Sequence, residues 1–423
     1  MSIVSSLYIG ASGLLSNSLE LEVVGDNVAN SNTIGFKGSR AAFADVLGDT
    51  IIGGNGQLGL GVRAQTVQKI FTQGSLTSTG IATDMAVQGP GLFVVEGPDG
   101  PLYTRNGQFT LNQDGHLTSL EGLRVQGYVA DANGVVTPGT GLDDLQLADA
   151  TSPPLATSNL VIHANLDSQA TVLGVPFDAT DPANTSNFST TMTVYDSLGA
   201  AHDIDLHYVN LGGGTWEWHA VTDGANVDGG TPGVPFELGT GTLTFDGAGN
   251  LSAVAGNTIT LDPTGVAPSQ TITLDMGDPA TGTVGITQFA APSATSFLSQ
   301  DGHTAGTLAG IKVDENGNVI GAFTNGETRT LAQVALADFP APDELGRIGG
   351  NLYRAFADAG EPNIGAPGSG GRGTLVQGAL EQSNVDLASE LIRMIVVQRA
   401  FQANSKTLTT ADQMAAELVQ IKR

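Results

Sequence analysis

The stretch HDIDLHYVNLGGGTWEWHA, residues 202–220, gathers the chain's densest set of groups able to do chemistry. Folded as a hairpin about the glycines, two-residue alternation puts Asp203, Asp205 and His207 on one face with Glu217 and His219. Such carboxylates and imidazoles could ligate a metal ion. The other face would carry Ile204, Leu206 and Tyr208 against Trp216 and Trp218. Ordinary alternation explains both faces, with the apolar side packed inward and the polar side in water, and a flat sheet lacks the shell that orients ligands. No metal and no cofactor is therefore assigned. Gly54, Gly56 and Gly59 match a dinucleotide-loop spacing, but LGVRAQTVQKIF follows without a clear helix, and the context fails. DENGNV at Asp314 superficially matches a calcium loop. Its glycine falls at the fourth position and Asn325 stands where a bidentate Glu is needed, so a hairpin turn is the reading. Cysteine is absent, which excludes thiol nucleophiles, disulfides and thiolate zinc sites. No nucleophile elbow or paired helical His motif occurs, and nothing reads as an enzyme.

The elements that would position these groups are mostly strands. The chain has 423 residues, 58 glycines and only 5% aromatics, which suits many turns and short strands in two or more domains. Alternating runs such as GLFVVEG, TMTVYDS, GTLTF and QTITLDM are divided by NG, DG, GGG and GN turns. NQDGHL, DANGVV, FDGAGNL and DENGNV repeat one pattern, read as hairpin turns supplying positive φ. Helical spacing occurs only at the ends. Val4, Leu7, Ala11, Leu14, Ser18, Leu21, Gly25 and Val28 recur at steps of three and four, as do Met394, Val397, Phe401, Asn404, Leu408, Ala411, Ala415 and Leu418. Ser383 and Asp386 in SNVD read as a capping box opening the second helix. Each stripe could pack on its own domain, yet both lead into breaks instead of covering strands. They read as helices awaiting partners.

The net charge of -26 argues against nucleic acid and anionic membrane surfaces. No apolar run is long enough to span a membrane, and the N-terminus does not read as a cleaved signal. Between Arg124 and Lys312 there is no Lys or Arg, which suggests an acidic domain inserted into another whose halves flank it. The expected organisation is mostly β with paired α-helical termini, in nested domains. Residues 1–30 with 385–423 are expected to form a helical coiled-coil domain, and 31–75 with 365–384 a connector. Residues 76–145 with 291–364 form a middle β domain, and 146–290 an inserted outer β domain. NIGAPGSGGRG reads as a flexible connector.

The first helical pattern ends in DNVANSNTIGFK, an unusually strong breaker. With Asn27, Ala29, Asn30, Asn32, Thr33, Gly35, Phe36 and Lys37, it resembles the signature of the bacterial flagellar axial proteins, the rod, hook and related subunits. QGSLTSTGIATDMAVQGPGLFVV, YTRNGQFTLNQDGHL and GALEQSNVDLASELIRMIVVQRAFQANSKTLTTADQM are similar to further blocks of that family, with Met85 and Leu92 replacing its usual Leu and Phe. The long middle, VYDSLGAAHDIDLHYV through TFDGAGNL, resembles the outer domain of the hook branch. The resemblance covers nearly the whole chain. It implies a structural subunit of the flagellar hook, a curved flexible tube that joins rod to filament and transmits torque as a universal joint. It further implies a homopolymer built through Val4, Leu7, Leu14, Leu21, Val28, Met394, Val397, Phe401, Leu408 and Leu418. Its implied partners are rod, hook-cap and hook–filament junction proteins and the flagellar export apparatus, with export to the cell exterior without signal cleavage. The alternatives are a β-rich surface adhesin or glycan-binding protein, and a distal rod subunit.

Overall fold

One five-residue turn recurs along the chain and sets much of its strand pairing. In DANGV, DSLGA, DGAGN and DENGN the Oδ1 atoms of Asp131, Asp196, Asp246 and Asp314 each accept hydrogen bonds from backbone N–H groups two and four residues on, at 2.8–2.9 Å. The fourth residue of each is a glycine with φ between 78° and 84°, where a β-carbon is disfavoured. The DENGNV and DANGVV segments are thus turns, as their sequence pattern implies.

The structure is a computed structural model describing residues 3–50, 57–139, 141–147, 150–266, 269–278 and 285–421. Gly54 and Gly56 of the glycine triplet lie outside these residues, and Gly59 belongs to the strand Gln57–Lys69. The chain is mostly β with an N-terminal helix Ile3–Ala29 and a C-terminal helix Leu387–Ile421. It divides into two units, one of Met1–Ala150, Ala309–Ala322 and Thr328–Arg423, the other of Thr151–Leu308 and Phe323–Glu327.

In the first unit, the strands Asn318–Phe323, Thr328–Val334, Arg124–Val129, Leu92–Gly97, Gly100–Thr104, Leu352–Arg354 and Gly346–Gly349 lie side by side in that order. Leu92, Val94, Tyr103, Phe339 and Tyr353 form a buried core beside them, with Tyr103 edge-on to Phe339. Two short antiparallel pairs gather the chain ends: Thr374–Gln377 on Met85–Gln88, and Ala379–Glu381 on Leu76–Ser78. A long hairpin, Ser39–Thr50 with Gln57–Lys69, packs against the N-terminal helix. In NIGAPGSGGRG, Asn363–Gly365 pairs as a short strand with Leu336–Asp338, and a loop follows. Arg372 fans across it, donating to Ala366 O, Asn363 Oδ1 and Ser369 Oγ.

In the second unit a five-stranded antiparallel sheet runs in the order Phe188–Tyr195, Ala201–Gly212, Thr215–Asp223, Pro235–Phe245, Leu251–Ala255. A second sheet has the order Thr258–Leu261, Gln270–Asp275, Asn159–Asn165, Ile286–Thr287, with Ala294–Gln300 also on Asn159–Asn165. One core joins the two sheets, built from alternate residues: Leu160 and Ile162, Ile204, Leu206 and Tyr208, Trp216 and Trp218, Ile259 and Leu261, Ile272 and Leu274. Cross-strand register sets Tyr208 opposite Trp218 and His207 opposite His219, so the two faces of this hairpin divide as alternation requires.

Candidate functional site

The two end helices pack on each other, and small residues let them approach. A β-carbon at Gly10 would stand 3.7 Å from Asn404 O, and one at Gly13 only 2.6 Å from Asn404 Nδ2. The buried line of the N-terminal helix is Gly10, Gly13, Ser16, Val23, Val24 and Asn27. Leu7, Leu14, Leu21 and Val28 flank that line and are half-buried, while Ala11 is exposed. The helix also meets the long hairpin, where Ser12 Oγ donates to Ile9 O at 2.9 Å and accepts from Val62 N at 3.2 Å. In the C-terminal helix Val397 and Ala411 are buried, Met394, Asn404, Leu408 and Ala415 are half-buried, and Phe401 is 41% exposed. The side chains of Val4 and Leu418 lie outside the described residues.

Beyond the paired face, apolar side chains stand in solvent. Tyr8 and Leu15 (74% exposed) do so on the first helix, and Leu391, Ile392 (64%), Ile395 and Val396 form a stripe on the second. Helical steps of one and four place these four residues together.

The break after the first helix closes its carbonyl end with side chains. Asp26 O accepts from Asn30 N and from Asn30 Nδ2, and Val28 O accepts from Ser31 N and Ser31 Oγ. Thr33 Oγ1 donates to Asn30 Oδ1 at 3.1 Å. Asn27, buried, binds both the N–H and the carbonyl of Ser39 at 2.9 and 2.8 Å, which turns the chain into the hairpin. Gly35 has φ +70°, and a β-carbon there would lie 2.7 Å from the Arg105 carbonyl carbon and the Asn106 nitrogen. Ala29 and Asn32 are exposed. The second helix is opened by Asp386 and not by a Ser383 box: Asp386 Oδ1 accepts from Ala388 N at 3.0 Å and Oδ2 from Ser389 Oγ at 2.6 Å.

Next to the break lies a buried ionic hub. Glu381 Oε1 accepts from Lys37 Nζ and from Gly74 N, each at 2.7 Å, while Oε2 accepts from Arg105 Nε. Lys37 also donates to Thr72 O, and Arg105 to the carbonyls of Val87, Gly89 and Gly91. Asn384 extends the lock, accepting from Gly38 N and donating to Ile70 O and Thr72 O. Arg347 lies over the Phe36 ring at 4.5 Å and donates to Lys37 O and Asp26 Oδ2. Burial pulls the Lys37 ammonium below its usual range; the Glu381 charge opposes this and Arg105 adds to it. Burial alone would raise the Glu381 carboxyl, but Arg105 and Lys37 outweigh it and hold the group ionised. Both carboxylate oxygens are thereby occupied, and the hub fastens together segments far apart in the chain. In the sequence Lys37 stands out only as part of a motif, and Arg105 and Glu381 carry no pattern of their own. A charged residue inside each of three otherwise β-like or motif segments, GFK, YTRNG and GALEQ, was the available signal.

The carboxylate and imidazole face of the second unit is engaged within the fold. Thr193 and Thr191 hydroxyls donate to Asp203 and Asp205, and His219 Nδ1 donates to Glu237 Oε1 at 2.6 Å. Glu217 Oε2 lies 3.5 Å from His219 Nε2. Among the described residues no group of three or more such side chains could hold a metal ion. His207 and His219 are buried beneath Phe177 instead of standing in water.

Four family models match the chain. They are the flagella basal body rod protein (residues 7–37), the flagellar hook protein FlgE/F/G D1 domain (86–168), the flagellar basal body protein FlaE D2 domain (165–303) and the flagellar basal body rod FlgEFG protein C-terminal region (376–421). The flagellar hook protein FlgE of Borreliella burgdorferi is 34% identical, with 99% of each chain covered. That of Escherichia coli K12 is 32% identical over 97% of this chain and 98% of its own. The crystal structure of Helicobacter pylori flagellar hook protein FlgE2 shares the fold at a TM-score of 0.52 and 17% identity, over 72% of this chain and all of that one. Full-length identity and matched models at both ends and in the middle place the chain in the flagellar hook protein family.

Proposed function

We propose that the chain is a structural subunit of the bacterial flagellar hook, polymerising into a curved, flexible tube that joins rod to filament and transmits torque as a universal joint. The observation that carries this reading is the exposed stripe Leu391, Ile392, Ile395 and Val396 beside a hub that is already closed. An apolar stripe left open on a helix whose root is locked suits coverage by another copy of the same chain. The residues proposed for the contact are those of the two helical seams, Val4, Leu7, Leu14, Leu21, Val28, Met394, Val397, Phe401, Leu408 and Leu418, together with this stripe. The second unit is assigned the weaker, exchangeable contacts that let a tube bend. The rod, the hook cap, the hook–filament junction and the export apparatus are the proposed partners, and the hook outside the cell is the proposed location. The subunit works as a mechanical part, not a catalyst. Electron microscopy of the purified full chain at high concentration tests the reading. Curved tubes are expected, and a chain that stays monodisperse and binds glycans would support an adhesin instead.

A further inference from the structure

Residues 167–187 of the second unit leave the strand Asn159–Asn165 and cross to the strand Phe188–Tyr195 as a strap with one short helical turn, Pro182–Thr185. Its ends are tied: Asn210 Nδ2 donates to Ala170 O, Asn187 Nδ2 to Thr171 O, and Asn210 N to Asn187 Oδ1. Between these ties, Val172 and Val175 are exposed, and the ring of Phe177 meets the sheet. That ring stacks on His219 at 4.2 Å and 16° and meets His207 tilted, at 5.3 Å and 35°. The two imidazoles are directly opposed on neighbouring strands, and both are buried on a face where alternation predicts solvent.

The two histidines are unequally partnered. A charged His219 would find Glu237 at Nδ1 and Glu217 near Nε2. His207 Nδ1 is buried with no partner. The acidic groups on the elements packed against the pair are Asp203 and Asp205 on the strand of His207, Glu217 beside His219, Glu237 on the next strand, and, exposed on the strap, Asp178 and Asp181. Asp203, Asp205 and Asp178 are already bonded to Thr193, Thr191 and Thr180. No Lys or Arg occurs between Arg124 and Lys312 to repel a proton. Burial is the largest influence on His207 and lowers its pKa; Asp205 opposes this and His219 reinforces it.

We propose that the strap is a proton-operated latch, closed by Phe177 over neutral His207 and released when His207 takes a proton beside His219. The sign follows from linkage. A histidine whose pKa is lower in the closed state than in the open one binds its proton more tightly when open. Opening is therefore favoured as pH falls below about 6.5, the ordinary histidine value. His219 stands between Glu237 at Nδ1 and Glu217 near Nε2. A proton arriving at His207 Nδ1 finds no acceptor there and stands directly opposite the His219 ring. Release would uncover Val209 and Val221, which are buried on the same face, and change the surface that this unit offers to its surroundings.

The absence of cysteine allows a clean probe. Val175→Cys, labelled with a fluorophore in the full chain, reports strap motion by anisotropy, while Trp216 and Trp218 report the core. Anisotropy should fall reversibly between about pH 7.5 and about pH 5, with a midpoint below the ordinary histidine value and tryptophan emission unchanged. His207→Gln should abolish the fall, and Phe177→Ala should give the low anisotropy at every pH. Constant anisotropy across the range would overturn the latch. So would the same fall in a His207→Gln and His219→Gln double variant, or a fall accompanied by a red shift of the tryptophans, which would report unfolding of the unit.

Discussion

The core of the second unit and the paired end helices handle apolar surface in opposite ways. In the second unit Trp216, Trp218 and Tyr208 are fully buried between two sheets, and every strand of the five-stranded sheet except the edge strand Leu251–Ala255 sends buried apolar residues inward. In the helix pair Gly10 and Gly13 lie against Asn404, while Ile392, Ile395 and Val396 face solvent. The first region is complete as a folded body. The second is fastened at its root by a buried carboxylate and left open along its length. A subunit built to polymerise needs both, because a body that closes itself stays soluble and an open stripe gives neighbours something to cover.

The largest effect should come from the hub. Glu381→Ala leaves Lys37 and Arg105 buried without a counter-charge, and breaking a buried pair in this way costs about 3–5 kcal/mol. The chain's two tryptophans, Trp216 and Trp218, both lie in the second unit, so their emission follows that unit alone. Urea unfolding should show the helical circular-dichroism transition moved to lower denaturant and the tryptophan transition unmoved. Equal movement of both would break the comparison. The pH dependence has a defined sign: the folded Glu381 pKa is depressed, so its contribution is present above the ordinary carboxylate range and is lost as pH falls through the depressed value.

Leu14→Pro comes next. A proline inside the helix removes a backbone bond and clashes with the preceding turn, at a cost of about 3 kcal/mol or more. The helix pair should lose helicity and no tubes should form, with the tryptophan transition intact. Tubes of normal length from this variant would remove the N-terminal helix from the assembly interface.

How far these sites could be read beforehand depends on what carries each contact. The C-terminal seam at Met394, Val397, Asn404, Leu408 and Ala411 is visible because apolar and small residues keep helical steps there. The N-terminal helix meets its partner at Gly10 and Gly13, since close helix approach selects small side chains that an apolar pattern does not mark. The hub was illegible for a different reason: Lys37 and Glu381 are 344 residues apart, and only folding makes them neighbours. The hairpin faces were legible from alternation, yet the cover over His207 and His219 comes from Phe177, in a loop with no periodic pattern at all.

A smaller effect is expected at the helix start. Asp386→Ala removes the acceptor for Ala388 N and Ser389 Oγ, and losing an N-cap of this kind costs about 1 kcal/mol. Hydrogen exchange should rise over the first turn of the C-terminal helix and nowhere in the second unit. An Asp386→Asn variant, which keeps an acceptor oxygen, should recover most of the protection.

The smallest effect on the isolated subunit carries the sharpest test. Ile395→Asp places a charge on the open stripe, where the side chain already stands in water, so the monomer should change by no more than about 0.5 kcal/mol. In a polymer the same carboxylate would be pressed against a neighbour's apolar surface with no partner, and burying an unpaired charge is far more costly than exposing one. Tube formation should therefore fail while both unfolding transitions stay in place. An aspartate at Leu198, exposed in the second unit and outside the helix pair, supplies the control and should leave tubes intact. If Ile395→Asp assembled as well as that control, the stripe would be an ordinary solvated face, and the seam between the two helices would have to supply the whole of the contact between copies.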